Sequence, residues 1–130
     1  MPERVAFKGK MPGELPGLPI GEYTKLITSR QRRWLKRNSL QYKTLTRKIE
    51  RLRGKGSTKP IRTHFREALI LPSWIGLSFE VHNGKEFQRI DIAPNMLGYR
   101  LGDFVYTVKR VMHSAPGVKA TRGSKFVELK

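Results

Sequence analysis

The chain has 130 residues, no cysteine and a net charge of +17, from 27 Lys and Arg against 10 Asp and Glu. One domain with an arm or tail fits that length, and a hydrophobic content of 38% fills a single modest core. Without cysteine there is no disulfide framework, thiolate nucleophile or zinc ribbon. No apolar run approaches the about 18 residues of a membrane span, and the opening MPERVAFKGK lacks an apolar leader, so a small cytosolic protein is expected. A compact state this basic repels itself and calls for a polyanionic partner, most commonly nucleic acid.

The charge is unevenly placed. Residues 1–24 carry three basic and three acidic residues, net zero. Residues 25–66 carry fifteen basic residues and one acid, Glu50, net +14. Residues 67–108 carry three basic and five acidic residues, net −2, and residues 109–130 carry six basic residues and Glu128, net +5. An ordinary solvated surface mixes signs; residues 25–66 do not.

In chain order, residues 1–21 read as an irregular arm, because 9–21 hold four Gly and three Pro. A basic helical hairpin is expected over 22–60. Its first helix starts at Glu22 and places Tyr23, Leu26, Ile27 and Trp34 on one stripe. Asn38 stops that helix, and Ser39 is placed to cap a second. The second carries Tyr42, Leu45, Ile49 and Leu52 at helical spacing and ends at Gly54 and Gly56.

The α+β core is expected over 61–108. Its apolar run 68–71, stopped by Pro72, is too short to assign as strand or buried extended segment. Asn83-Gly84 between two alternating runs is a strong hairpin signal. A two-residue type I′ turn pairing His82 with Lys85 puts Ile75, Leu77, Phe79, Val81, Ile90 and Ile92 on one face. The other face then holds Ser78, Glu80, His82, Lys85, Phe87, Arg89 and Asp91, and a one-residue slip would mix the two. On that polar face Phe87 either stacks on a base or is covered by the protein's own helix. Pro94 opens a short helical pattern whose Leu97, Leu101 and Phe104 cover the apolar face. Residues 109–130 read as a basic extended tail. The fold class is therefore α+β: a small domain with a short antiparallel sheet, an N-terminal helical hairpin and extended N- and C-terminal segments.

Catalytic chemistry needs a constellation, and the sequence has none. His64, His82 and His113 are far apart, Asp91 and Asp103 lack a supporting motif, and GKGSTKP lacks Walker spacing. No enzyme activity, metal or cofactor is expected.

The chain resembles the universal small-subunit ribosomal protein nineteen family in its archaeal and eukaryotic form. The residues that carry the likeness are Asn83-Gly84-Lys85, Ile92, Leu97-Gly98, Leu101-Gly102-Asp103-Phe104 and Thr107, all at the family's spacing. Upstream it extends to Ser29-Arg30-Gln31-Arg32-Arg33, Thr63-His64, Arg66-Glu67 and Ile70-Leu71-Pro72. Downstream it takes in His113-Ser114-Ala115-Pro116-Gly117 and the stretch from Ala120 to Val127. Tyr99 stands where the family usually has His, and Ser73-Trp74-Ile75 replaces a usual Glu-Met-Val.

The resemblance implies a non-enzymatic structural component of the small ribosomal subunit, cytoplasmic and bound to rRNA in the head. It implies ribosomal protein thirteen as a neighbour and a position facing the large subunit and the tRNA path, with no membrane partner and no homo-oligomer. The RNA-binding candidates are Arg30, Arg32, Arg33, Lys36 and Arg37 in the first helix, and Lys43, Arg47, Lys48, Arg51 and Arg53 in the second. Lys55, Lys59, Arg62, Asn83, Lys85 and Arg100 follow, then Lys109, Arg110, His113, Arg122 and Lys125 toward the end. Arg and Lys neutralise phosphates, and Arg also bridges two oxygens or stacks on a base. The rival readings are a DNA-binding helix-turn-helix, a non-ribosomal RNA-binding protein and a transient assembly factor.

Overall fold

The computed structural model describes residues 7–112, and in it the basic segment forms three helices where periodicity predicts two. These are α1 (Ile20–Leu26), α2 (Ser29–Arg37) and α3 (Ser39–Gly54). The expected first helix breaks at Thr28, whose backbone is extended. Thr28 Oγ1 accepts from the Gln31 N–H at 3.4 Å, and Gln31 Oε1 accepts from the Thr28 N–H at 3.3 Å. This reciprocal capping box starts a new helix, while the Tyr23–Ile27 stripe still faces the core. Between α2 and α3 only Asn38 leaves the helical conformation. Its side-chain amide donates to the Trp34 carbonyl at 3.0 Å. Asn38, not Ser39, therefore occupies the cap position of α3, and it makes no side-chain capping bond there.

The stripe of α3 is buried as expected, with Tyr42, Leu45 and Ile49 in the core. It packs on residues 68–71, which are buried throughout. This run is extended rather than helical, and Leu69 bridges antiparallel to Arg100. The Ile70 N–H donates to the Tyr99 carbonyl at 3.0 Å, and the Leu101 N–H to Ala68 at 2.9 Å. Two phenols secure the run from the helix side. Tyr42 donates to the Leu69 carbonyl at 3.0 Å and accepts from the Leu69 N–H, and Tyr23 donates to the Ile70 carbonyl at 2.8 Å. Around them Trp34 stacks on Phe65 at 5.7 Å, and Trp74 joins Tyr42 to Phe79.

The sheet has the order β1-β2-β3. Strands β2 (Ser78–His82) and β3 (Phe87–Asp91) form the predicted antiparallel hairpin. To it the fold adds β1 (Ile61–Thr63), parallel to β2 with Ile61 opposite Phe79. The hairpin register is displaced by two residues from the expected one: Phe79 faces Ile90, and His82 faces Phe87. A shift of two keeps every side chain on its face, so Phe79, Val81 and Ile92 are buried as read from the alternation.

What changes is the turn. The Asn83 N–H donates to the Glu86 carbonyl at 3.0 Å, and Asn83 Oδ1 accepts from the N–H groups of Lys85 and Glu86, each at 2.9 Å. The reversal is therefore centred on Gly84-Lys85. Gly84 has φ of 101° and Asn83 has no positive φ, which excludes the expected type I′ turn.

The irregular N-terminal segment also contributes to the core. Leu15 is fully buried, and the Phe7 ring lies 6.0 Å from that of Tyr23. The pattern after Pro94 resolves into two 3-10 turns, Pro94–Met96 and Leu101–Phe104. Leu97 and Leu101 are buried, and the half-buried Phe104 packs on the core. Arg66 ties these parts together. Its guanidinium donates to the carbonyls of His82 at 2.8 Å, Gly102 at 3.1 Å and Val105 at 2.5 Å. A Cβ at Gly102 would lie 3.0 Å from the Arg66 carbonyl oxygen, tighter than most side-chain contacts, so that close approach favours glycine.

Two predictions follow from this packing. Arg66→Met keeps most of the stem but leaves three carbonyls without their donor, and it should lower unfolding free energy by roughly 2–4 kcal/mol. Urea denaturation measures this, and a midpoint equal to the parent's would refute the role. Burial pushes the Tyr23 hydroxyl up to about 12 and the Tyr42 hydroxyl further up. The unfolded chain therefore ionises first, near the ordinary tyrosine value of about 10. The stabilisation is complete below that pH and is lost as pH rises through the folded-state values. Stability measured in alkaline buffers should hold to about pH 10 and then fall. Tyr23→Phe should flatten part of that fall.

Candidate nucleic-acid interface

The cations predicted to bind RNA are nearly all on the surface. Arg30, Arg32, Arg33, Lys36 and Arg37 are exposed on α2. Lys43, Arg47, Lys48, Arg51 and Arg53 are exposed on α3, and Lys55 and Lys59 follow it. This arrangement has a simple cause. Except for the exposed Leu40, the apolar positions of both helices are used by the core, and the remaining positions carry ten basic residues against one acid, Glu50. Lys85 stands exposed at the hairpin tip, and Lys109 and Arg110 lie exposed beyond the last 3-10 turn. His113, Arg122 and Lys125 lie outside the described residues.

One group of these residues converges. A groove of about 870 Å³ runs between α3 and β1, lined by Gln41, Thr44, Arg47, Lys48, Arg51, Arg62, His64 and Phe65 among others. The Lys48 ammonium donates to the Arg62 carbonyl and joins the two walls. Arg62 pairs with Glu80 at 2.6 Å, its side chain 67% exposed. It also lies over the Phe87 ring, with the guanidinium carbon 5.2 Å from the centroid. Farther along the same sheet face, Asp91 accepts from the Ser78 hydroxyl at 2.5 Å and pairs with Arg89 at 3.4 Å. The Ser78 hydrogen bond, with Arg89 assisting, holds the Asp91 carboxyl below the usual carboxylate range. The strand acids are thus matched locally by strand arginines, and Arg47, Lys48 and Arg51 of α3 face the groove with no acid in its lining.

Three further candidates have internal contacts. Asn83 uses its side-chain oxygen to close the hairpin turn. Arg100 is half-buried, with its guanidinium carbon 5.1 Å from the Trp34 ring centroid. Arg53 donates to the Ser73 carbonyl at 3.2 Å. The sequence reading also missed His64 and His82 as parts of a site. Their rings come within 4.6 Å of one another only because β1 pairs parallel with β2, a contact with no local signal.

The helix-turn-helix alternative requires a turn of about three or four residues between two helices set at a steep angle. Only Asn38 separates α2 from α3, and the cations surround both helices instead of marking one recognition face. Among the described residues, no group of three or more His, Asp or Glu is placed to hold a metal ion, and no helix is long and apolar enough to cross a membrane.

Comparison with known proteins identifies a family. Residues 33–113 match the family model described as ribosomal protein S19. The small ribosomal subunit protein uS19 of Saccharolobus solfataricus is 44% identical over 126 residues, covering 95% of this chain and 90% of the relative. The protein of the same name from Metallosphaera sedula is 39% identical over 130 residues, covering 98% and 93%.

Proposed function

Because the chain belongs to the ribosomal protein S19 family, we propose that it works as a structural, non-enzymatic component of the cytoplasmic small ribosomal subunit by binding the subunit's rRNA through the basic surface of α2, α3 and the adjoining groove. The finer placement proposed is the subunit head, beside ribosomal protein thirteen and on the side facing the tRNA path and the large subunit. The observation that carries the RNA-binding reading is the fifteen-to-one excess of basic over acidic residues in 25–66, displayed largely on helices whose apolar positions, Leu40 excepted, are committed to the core.

Folded RNA is a dense phosphate surface. Each phosphate neutralised by Lys or Arg releases condensed counterions, so affinity depends steeply on salt. Arginine adds bidentate contacts and stacking that lysine does not. Charge on several sides of two helices suits a protein enclosed by RNA better than one resting on a single groove.

The reading is tested with the full chain and fragments of its rRNA. If ~6–10 phosphates are neutralised, affinity should fall by ~10³–10⁵ between about 50 and 200 mM salt. Arg47→Ala with Arg51→Ala should reduce that slope by roughly two contacts' worth. Nearly salt-independent affinity would contradict the proposal. Failure of the chain to sediment with mature small subunits would point instead to a transient assembly factor.

A further inference from the structure

The groove ends against a cluster of rings on the polar face of the sheet. His82 and Phe87 sit opposite one another on β2 and β3, with ring centroids 4.9 Å apart and edge to face. His64 follows β1 and lies 4.6 Å from His82, tilted by 33°, and 5.2 Å from Phe87, edge to face. His82 is fixed from the turn side, because its Nδ1 accepts from the Gly84 N–H at 3.0 Å. The imidazole therefore has a set orientation. Phe87 is half-buried; the rings of His64 and His82 and the Arg62 guanidinium pack against it. His64 is exposed and lines the groove.

We propose that His64, backed by His82 and Phe87 and flanked by Arg62, is a stacking platform for one unstacked RNA base, with Arg47, Lys48 and Arg51 taking the adjoining phosphates. The proposal rests on the rRNA-binding reading and adds the RNA conformation and the residues that recognise it. Phosphate contacts alone do not require aromatic groups. Inside a duplex each base already has two stacking neighbours, so a protein ring beside a basic groove is useful to a base that has left the stack. An accessible imidazole that is itself part of a stack can extend that stack by one base. The flanking guanidinium adds a cation beside it. The groove volume of about 870 Å³ lies within the ~300–1,000 Å³ of ordinary ligand sites, so a nucleotide has room there. Stacking of this kind tolerates any base, because every base has a π face.

The experiment uses the full chain and two RNA hairpins that differ in one nucleotide: one carries a single bulged aminopurine, and the other is fully paired. The parent protein should bind both with steep salt dependence and quench only the bulged fluorophore. His64→Ala alters an exposed ring and, with an unchanged circular dichroism spectrum, should abolish the quenching and weaken the bulged hairpin about tenfold while leaving the paired hairpin unaffected. His64→Trp should restore both quenching and affinity. Equal quenching by parent and His64→Ala, or equal losses on both hairpins, would overturn the platform while leaving salt-dependent RNA binding in place. Failure of the parent to bind either hairpin would overturn the RNA-binding reading together with the platform.

Discussion

Two phenol hydroxyls hold the helical segment, which carries most of the chain's charge, to its nearly neutral part. Tyr42 of α3 engages both backbone groups of Leu69, and Tyr23 of α1 engages the Ile70 carbonyl. Residues 25–66 carry net +14 and have no acid but Glu50 to relieve their repulsion. Apolar burial draws the helices onto the core but is non-directional. The phenols add direction: they fix where along the helices the buried run 68–71 sits. A buried hydrogen bond is worth only about 1 kcal/mol net, but an orphaned buried partner costs more, so displacing the helices is penalised at both ends.

The rest of the architecture follows from that fixed run. Residues 66–71 are bonded on their other side to residues 99–102, and Arg66 then reaches the end of β2 and the last 3-10 turn. One short extended segment thus connects the helices, the hairpin and the exit toward the C-terminal segment. The basic groove depends on the same geometry. Its walls, α3 and β1, both lead into this segment, and Arg62 and His64 lie just before Arg66. The surface cations need no precise local partner, but their convergence needs the core.

Much of this was legible in the residues, and the omissions have physical reasons. Period-two alternation identified both faces of the hairpin, and a shift of two in register left them intact because parity is all that alternation encodes. The turn type was not legible, since the Asn83 side chain replaces a backbone acceptor. The break at Thr28 was hidden because the stripe of Tyr23, Ile27 and Trp34 faces inward on both sides of it, although Thr28 and Gln31 stand at capping-box spacing. The parallel addition of β1 left no trace: three residues are too few to show a period, and their partners lie about eighteen positions away. With that pairing the His64–His82–Phe87 cluster was also lost, and Arg66 looked like one more cation of the basic run. The excess charge itself was plain from composition, as was its concentration in residues 25–66.

The central claim is that the face built from α3, the groove and the polar side of the sheet is turned toward RNA. Placing the chain in a cryo-electron microscopy map of its own small subunit tests this most directly. The account predicts phosphates in contact with Arg47, Lys48 and Arg51, with the groove filled by RNA. A map in which that groove opens to solvent while RNA meets the chain elsewhere would contradict it.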